Sequence, residues 1–267
     1  MDVHFLAIDG FNLVRRIFEA RKVLVPGDMQ GVVQATVSSV QRAISEHRPT
    51  HAALVFEPHD RTWRHLLYPG YKASRKPPPP ILLDGIPEIE AAIREETGMS
   101  SCSVPNYEAD DVIATIARVV ADHGGRVVIL STDRIFLQLA GGGISIHDHF
   151  GDTHYRVDDV EEKLGVNISQ VVDYFALVGD KSNDIDGVPG IGPKSAVQLL
   201  SRFADLDAIL MADPAEGAAK QSENRLIGKV QAHDAEARRS HQLVQLKTDV
   251  ELGRNLRSFR LPQKESQ

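Results

Sequence analysis

Residues 107–111 read Tyr-Glu-Ala-Asp-Asp, and apolar residues follow at Val112, Ile113, Ile116, Val119 and Val120. That spacing predicts a helix with Glu108, Asp110 and Asp111 in or beside its first turn. Three carboxylates so close repel one another. The positive end of the helix offsets part of the repulsion. A divalent cation held by hard oxygen ligands offsets much more.

Outward from this helix, short apolar runs alternate with helical patterns. Val3–Ile8 reads as a strand ending at Asp9, Ala52–Phe56 as one ending at Glu57, and Val127–Leu130 as one ending near Asp133. Ile144–Ile146 is a fourth candidate, and Val33, Val37, Val40 and Ile44 recur at helical spacing. Near-continuous apolar strands separated by helices predict an α/β fold, with a mostly parallel central sheet flanked by helices. Ligands of such sheets bind outside the carboxyl ends of the strands. Asp9, Glu57, Asp133 and the triple-acid helix therefore converge on one edge, and all are candidate metal ligands.

Composition narrows the setting. The chain has 267 residues, 42% of them hydrophobic, with a net charge of −7 and a single cysteine, Cys102. An internal disulfide and a thiolate zinc cluster are thereby excluded. No apolar run approaches the roughly 18 residues of a membrane span, and a soluble cytoplasmic protein without a membrane partner is expected. A nucleic-acid partner would have to be met by local basic elements, because the overall charge is acidic.

One such element is plain. Arg61, Arg64, Lys72, Arg75 and Lys76 fall in a window without an acid from 61 to 76, interleaved with Trp63, His65, Tyr68 and Tyr71. It reads as a flexible basic segment able to grip phosphates and stack a base. Pro77 to Pro80 follow and should be extended.

A second motif spans 187–196, Gly-Val-Pro-Gly-Ile-Gly-Pro-Lys-Ser-Ala, between an apolar helical run (Val171, Val172, Phe175, Leu177, Val178) and another (Ala196, Val197, Leu199, Leu200, Phe203). Gly190 and Gly192 allow a tight hairpin, and Pro193 suits the first position of the next helix. The free N–H groups of that helix start, with Lys194 and Ser195 beside them, make an anion site. By contrast, His147, Asp148, His149, Asp152 and His154 lie in a predicted strand and turn without helical pairing. They read as polar surface rather than as a transition-metal site. The stretch 220–257 mixes both charges and reads as a helical surface, with phosphate contact as the alternative. The domain expectation is an α/β core over 1–160 that includes the basic segment at about 58–87, and a helical region over 161–260.

Five strings together resemble the 5′-nuclease (flap endonuclease) superfamily, over about residues 3 to 250: Asp9-Gly-Phe-Asn-Leu-Val-Arg, Tyr71-Lys-Ala-Ser-Arg, Tyr107-Glu-Ala-Asp-Asp, Ser131-Thr-Asp and Gly187-Val-Pro-Gly-Ile-Gly-Pro-Lys. The resemblance implies a PIN-like 5′-nuclease fold with a helical arch over the 5′ flap and a C-terminal helix–three-turn–helix region on duplex DNA. It implies a structure-selective, magnesium-dependent 5′-flap endonuclease, a hydrolase acting on ester bonds during replication and repair. Magnesium would be held by Asp9, Glu57, Glu108, Asp110, Asp111, Asp133 and Asp180, with Asp110 coordinating directly. Lys72 and Arg75 would stand near the scissile phosphate. DNA contacts would come from Arg64, Lys72, Arg75, Gly190, Ile191, Gly192, Pro193, Lys194 and Ser195. Potassium would be held largely by main-chain carbonyls at Leu177, Val178, Asp186, Val188 and Ile191. The partner would be flapped or branched DNA, read without regard to sequence by a monomer that is nucleoid-associated when bound.

The chain also departs from the family pattern. Glu57 stands where the first metal site expects aspartate, and Ile135 stands where the second expects one. In Gly179-Asp180-Lys181-Ser182-Asn183-Asp184, Asn183 replaces a carboxylate and Asp184 is displaced by one residue. One protein-held magnesium is therefore expected without DNA, and a second with the substrate phosphate as a ligand. The alternative is a flap-binding protein with weak or no nuclease activity. An RNA-cleaving relative is a third reading, and the glycine hairpin counts against it.

Overall fold

A computed structural model describes residues 3–22, 26–58, 60–213 and 221–262. Packing sorts the chain into two compact units: Met1–Thr62, Lys76–His154 and Lys247–Gln267 form one, and Trp63–Arg75 with Tyr155–Leu246 form the other.

The first unit is built on strand β1 (His4–Asp9), whose Phe5, Leu6, Ala7 and Ile8 are fully buried. Burial on both faces explains the unbroken apolar run. Asp9 ends β1 and caps helix α1 (Gly10–Arg21), accepting the Asn12 N–H at 3.1 Å. Helix α2 (Met29–His47) buries Val33 and Val40 of the expected stripe and leads to β2 (His51–Val55). The chain then leaves this unit for the short helix α3 (Trp63–Leu67) and returns in α4 (Pro80–Thr97). Pro80 is thus helical rather than extended. It occupies the helix start, where its fixed φ fits and its missing N–H costs nothing.

Strand β3 (Ser100–Cys102) has no apolar pattern and is defined by parallel pairing to β2. Helix α5 (Ala109–Asp122) follows, buried almost all round, although Val119 is 49% exposed and so falls outside its apolar face. Strands β4 (Arg126–Leu130), β5 (Ile144–Asp148) and β6 (Thr153–Tyr155) complete a sheet of order β3-β2-β1-β4-β5-β6. Ile8 pairs with Leu54 on one side and Leu130 on the other, both parallel. Strand order runs outward from β1 through β2 to β3, then resumes on its other side with β4. The carboxyl ends of β1 and β4 therefore flank a topological switch point, the usual position of a ligand crevice.

The second unit is helical: α6 (Val157–Leu164), α7 (Val171–Val178), α8 (Pro193–Leu200), α9 (Leu206–Met211), α10 (Gln221–Ala232) and α11 (Asp234–Val244). A two-stranded ribbon of β7 (Gly179–Asp180) and β8 (Ile185–Asp186) follows α7. Long-range bonds set membership of the units. Arg64 of α3 donates to the Leu243 carbonyl at 2.8 Å, which ties the basic segment to α11. The tail after Lys247 rejoins the sheet unit, with the Leu261 N–H on the Thr50 carbonyl at 3.1 Å. Among the described residues no helix is long and apolar enough to cross a membrane.

Candidate active site and nucleic-acid interface

Three of the expected acids meet electrostatically at the carboxyl edge of the sheet. Asp9 is 7% exposed. Burial pushes its carboxyl up to about 7, and the nearby charges of Asp133 and Glu57 push in the same direction, against the hydrogen bonds from Asn12 and Ser131. A buried aspartate facing two more carboxylates is an arrangement that a cation relieves.

The edge is stitched by residues that have no acidic signal. Ser131 donates from Oγ to Asp9 Oδ2 at 2.9 Å and accepts the Asp133 N–H at 3.1 Å. Asn12 donates from its side-chain amide to Thr132 Oγ1 at 3.0 Å. The start of α1 and the loop after β4 are thereby locked together. Both residues lie in the motif strings, but nothing in those strings states which atoms they bridge.

Because β3 runs parallel to β2, the loop after Cys102 leaves at this same edge and α5 begins there. Glu108 is the N-cap residue and is 2% exposed; its side chain makes no capping bond. Asp110 is half-buried in the first turn. Asp111 has one carboxylate oxygen engaged elsewhere. It is fully buried, and its Oδ1 accepts the Lys247 N–H at 2.9 Å. One residue further along a helix rotates a side chain by roughly 100°, which turns Asp111 toward the returning tail.

In the second unit the basic segment is ordered. Tyr71 is buried, and Lys72 carries its N–H to the Asn183 carbonyl at 3.0 Å with φ of 52°. Ser74 donates twice to Asp184, from N–H at 2.7 Å and from Oγ at 2.6 Å. These bonds hold Asp184 below the usual carboxylate range. The displaced acid of the family pattern thus clamps the loop that carries Lys72 and Arg75.

Arg64 is not available to DNA. It is 2% exposed, with its guanidinium on the Leu243 and Gln245 carbonyls at the end of α11 and stacked on Trp63. Those carbonyls lack helical partners, and a cation there satisfies them. Asp180 is likewise engaged locally. It accepts Ser182 N–H and Oγ on one oxygen at 3.0 and 2.6 Å and the Asn183 side-chain amide on the other at 2.6 Å.

The glycine hairpin has the expected form. Gly190 has φ of +75°, and α8 opens with Gly192 as cap and Pro193 first. Pro193 and Lys194 are exposed, Gly192 and Ser195 half-buried, and Ile191 buried. A Cβ on Gly192 would meet nothing within 4 Å among the described residues, which leaves the N-terminus of α8 open to close approach by them. Gly187 is the reverse case: a Cβ there would sit 2.5 Å from both the Leu177 and Val178 carbonyl oxygens. Leu177, Val178, Asp186 and Val188 are thereby brought together. The carbonyls of Leu177, Val188 and Asp186 accept bonds from Val188, Ile191 and Ser240 at 2.9, 2.9 and 2.6 Å. A carbonyl has two lone pairs, which leaves each a second acceptor direction.

The expected polar surface holds for Asp152 and His154, which are exposed, but not for His147 on β5 or His149 just after it. His147 is 1% exposed and His149 8%. His149 Nε2 lies 2.8 Å from Ser39 Oγ and 2.6 Å from an Arg42 nitrogen. The sheet is covered on this face by α2, so inward side chains of β5 are buried whatever their polarity.

Comparison with known proteins agrees with this geometry. The family model described as 5′-3′ exonuclease, N-terminal resolvase-like domain, matches residues 4–165, and the one described as 5′-3′ exonuclease, C-terminal SAM fold, matches residues 166–267. Flap endonuclease Xni of Shewanella sediminis (strain HAW-EB3) is 43% identical, covering 97% of each chain. Flap endonuclease Xni of Shewanella pealeana (strain ATCC 700345 / ANG-SQ1) is 42% identical, covering 98% of each. T5 5′-exonuclease, solved with zinc ions bound, shares the fold with a TM-score of 0.78 at 20% identity, covering 92% of this chain and 90% of that one. With both halves matched and relatives aligned over nearly their whole length, the chain belongs to the 5′-3′ exonuclease family.

Proposed function

We propose that this protein is a structure-selective 5′-flap endonuclease acting in the cytoplasm as a monomer on branched DNA, without sequence preference. The observation that carries the reading is the meeting of Asp9, Asp133 and Glu57 at the switch-point edge, with Asp9 pushed up to about 7. The donor set is all carboxylate oxygen, which suits magnesium. Asp9, Glu57, Glu108 and Asp110 would hold the ion, with Asp110 bound directly and Asp133 at the margin. A bound divalent ion there supplies a Lewis acid and an activated water. The chain's own residues do the rest. Ser131 and Asn12 hold Asp9 in place, and Lys72 and Arg75 meet phosphates from a loop clamped by Asp184. The N–H groups from Gly190 to Ser195 take the duplex backbone, reading no sequence. The carbonyls gathered around Gly187 support a potassium site in the same hairpin.

The test is magnesium-dependent cutting of a 5′-flap oligonucleotide by wild type beside Asp110→Ala. Equal trace cutting by both would overturn the reading. The rival, a flap-binding protein with little catalysis, is favoured by one feature: Asp180 spends its oxygens on Ser182 and Asn183, while Ile135 is buried where an acid would stand. Ile135→Asp with Asn183→Asp discriminates the two. A modest gain in cleavage supports the enzyme; a sharp gain from a near-zero baseline supports the rival.

A further inference from the structure

Four residues with no part in the acid edge come together around β5. Glu46 lies at the end of α2, His147 on β5, and Asp152 and His154 in the β5–β6 turn and strand. One ligand atom from each falls within 4.8 Å of all the others. Glu46 Oε1 is 3.6 Å from His154 Nε2 and 3.8 Å from His147 Nδ1, and Asp152 Oδ1 is 3.8 Å from His147 Nε2. The His147 and His154 rings stack face to face, with centroids 3.8 Å apart.

A second observation points into this cluster. His147 Nε2 is buried and has no hydrogen-bond partner among the described residues. Its other nitrogen, Nδ1, is engaged by His47 Nε2 at 2.9 Å. A buried polar atom without a partner is costly. A histidine whose one nitrogen is fixed by a neighbour while the other stands open is the usual preparation of a metal ligand.

We propose that Glu46, His147, Asp152 and His154 form a second metal site, for zinc or a similar borderline ion, separate from the carboxylate edge. The ligand types set the class. Two imidazoles with two carboxylates suit zinc far better than magnesium, which prefers oxygen alone. Two carboxylates and two neutral imidazoles also balance a divalent charge. Tetrahedral zinc with bonds of about 2.0–2.1 Å places its ligands roughly 3.3 Å apart. The observed 3.6 and 3.8 Å separations close with a shift of a few tenths of an ångström, and pairs at the 4.8 Å limit with about 1.5 Å, which exposed side-chain rotamers supply. His47 holds the ring of His147 and binds no ion. The site's effect is structural, joining the β5–β6 turn to the end of α2.

The experiment uses the full chain stripped with a chelator. Zinc is titrated against a chromophoric competitor, and cobalt(II) is added separately as a visible-absorption probe of tetrahedral geometry. The expected result is one tightly held zinc in wild type and in the double variant Asp9→Asn/Asp110→Asn, which disables the carboxylate edge. His154→Gln should weaken zinc binding at least tenfold, lose the tetrahedral cobalt spectrum and lose the zinc-induced rise in Tm. Magnesium-dependent DNA cutting by that variant should match wild type. Asp152→Asn, altering a side chain that is 93% exposed, provides the same test in a variant whose folding is not at issue. The proposal is overturned if both His154→Gln and Asp152→Asn bind zinc as wild type does, or if the edge double variant loses the ion.

Discussion

Asp184 accepts two hydrogen bonds from Ser74, 110 positions earlier in the chain, and so fixes the loop that presents Lys72 and Arg75. Asp184→Ala is expected to leave Tm nearly unchanged, since the bonds are exposed to solvent. It should weaken flap binding several-fold by releasing the loop. Fluorescence anisotropy with a labelled 5′-flap, beside a melting curve, checks both. Unchanged affinity would remove the clamp from the account.

Arg64 and Lys194 separate stability from DNA binding. Arg64→Met strands two helix-end carbonyls and should cost about 2 kcal/mol of folding stability. The salt dependence of DNA binding should not change. Lys194→Ala should do the opposite, lowering the salt slope of binding by about 1 with little change in Tm. Binding isotherms at several salt concentrations and urea melts decide it.

Asp9 gives the metal-free protein a pH dependence. Its folded carboxyl is raised from 3.8 to about 7. A raised pKa contributes stability that is fully present below the unfolded value and is lost as pH rises through the folded one. In chelator the contribution of Asp9 should therefore fall between about pH 4 and 7. Asp9→Asn should remove that part of the slope. The reverse trend from His47, lowered to about 4 by burial and so destabilising in acid, remains in both proteins and cancels in the comparison. Magnesium should raise Tm more at pH 8 than at pH 6. Scanning calorimetry with and without magnesium checks the sign.

Asp111 and Asp110 differ in kind. Asp110→Asn should lower magnesium-dependent cutting by more than about a hundredfold, since even groups one step removed from a metal cost 10–100-fold. Asp111→Asn should instead loosen the tail at Lys247, seen as faster amide exchange around 247–250 and a lower Tm. A lower magnesium affinity with unchanged exchange would return Asp111 to the metal.

Much of this protein was legible in its residues. Unbroken apolar runs fixed the buried parallel strands, and the acid at or just past the end of each run placed Asp9, Glu57 and Asp133 on one edge. The Gly-Ile-Gly-Pro-Lys string fixed the hairpin and the start of α8. These features are local: periodicity, turn chemistry and cap preference act within a few residues. β3, by contrast, carries three residues without an apolar pattern and exists only as a partner of β2.

The tertiary structure decided which polar groups are committed to other polar groups. Arg64 looked like a phosphate contact and is a buried helix cap. Asp111, expected beside the metal, gives one oxygen to the backbone of the returning tail. His147 looked like surface and points a partnerless nitrogen into a cluster completed by Glu46, from a helix about a hundred residues away in sequence. A charge near a motif has the same appearance in sequence whether it faces solvent, a carbonyl or a metal. Its partner is set by packing across long sequence separations, and no local pattern encodes that.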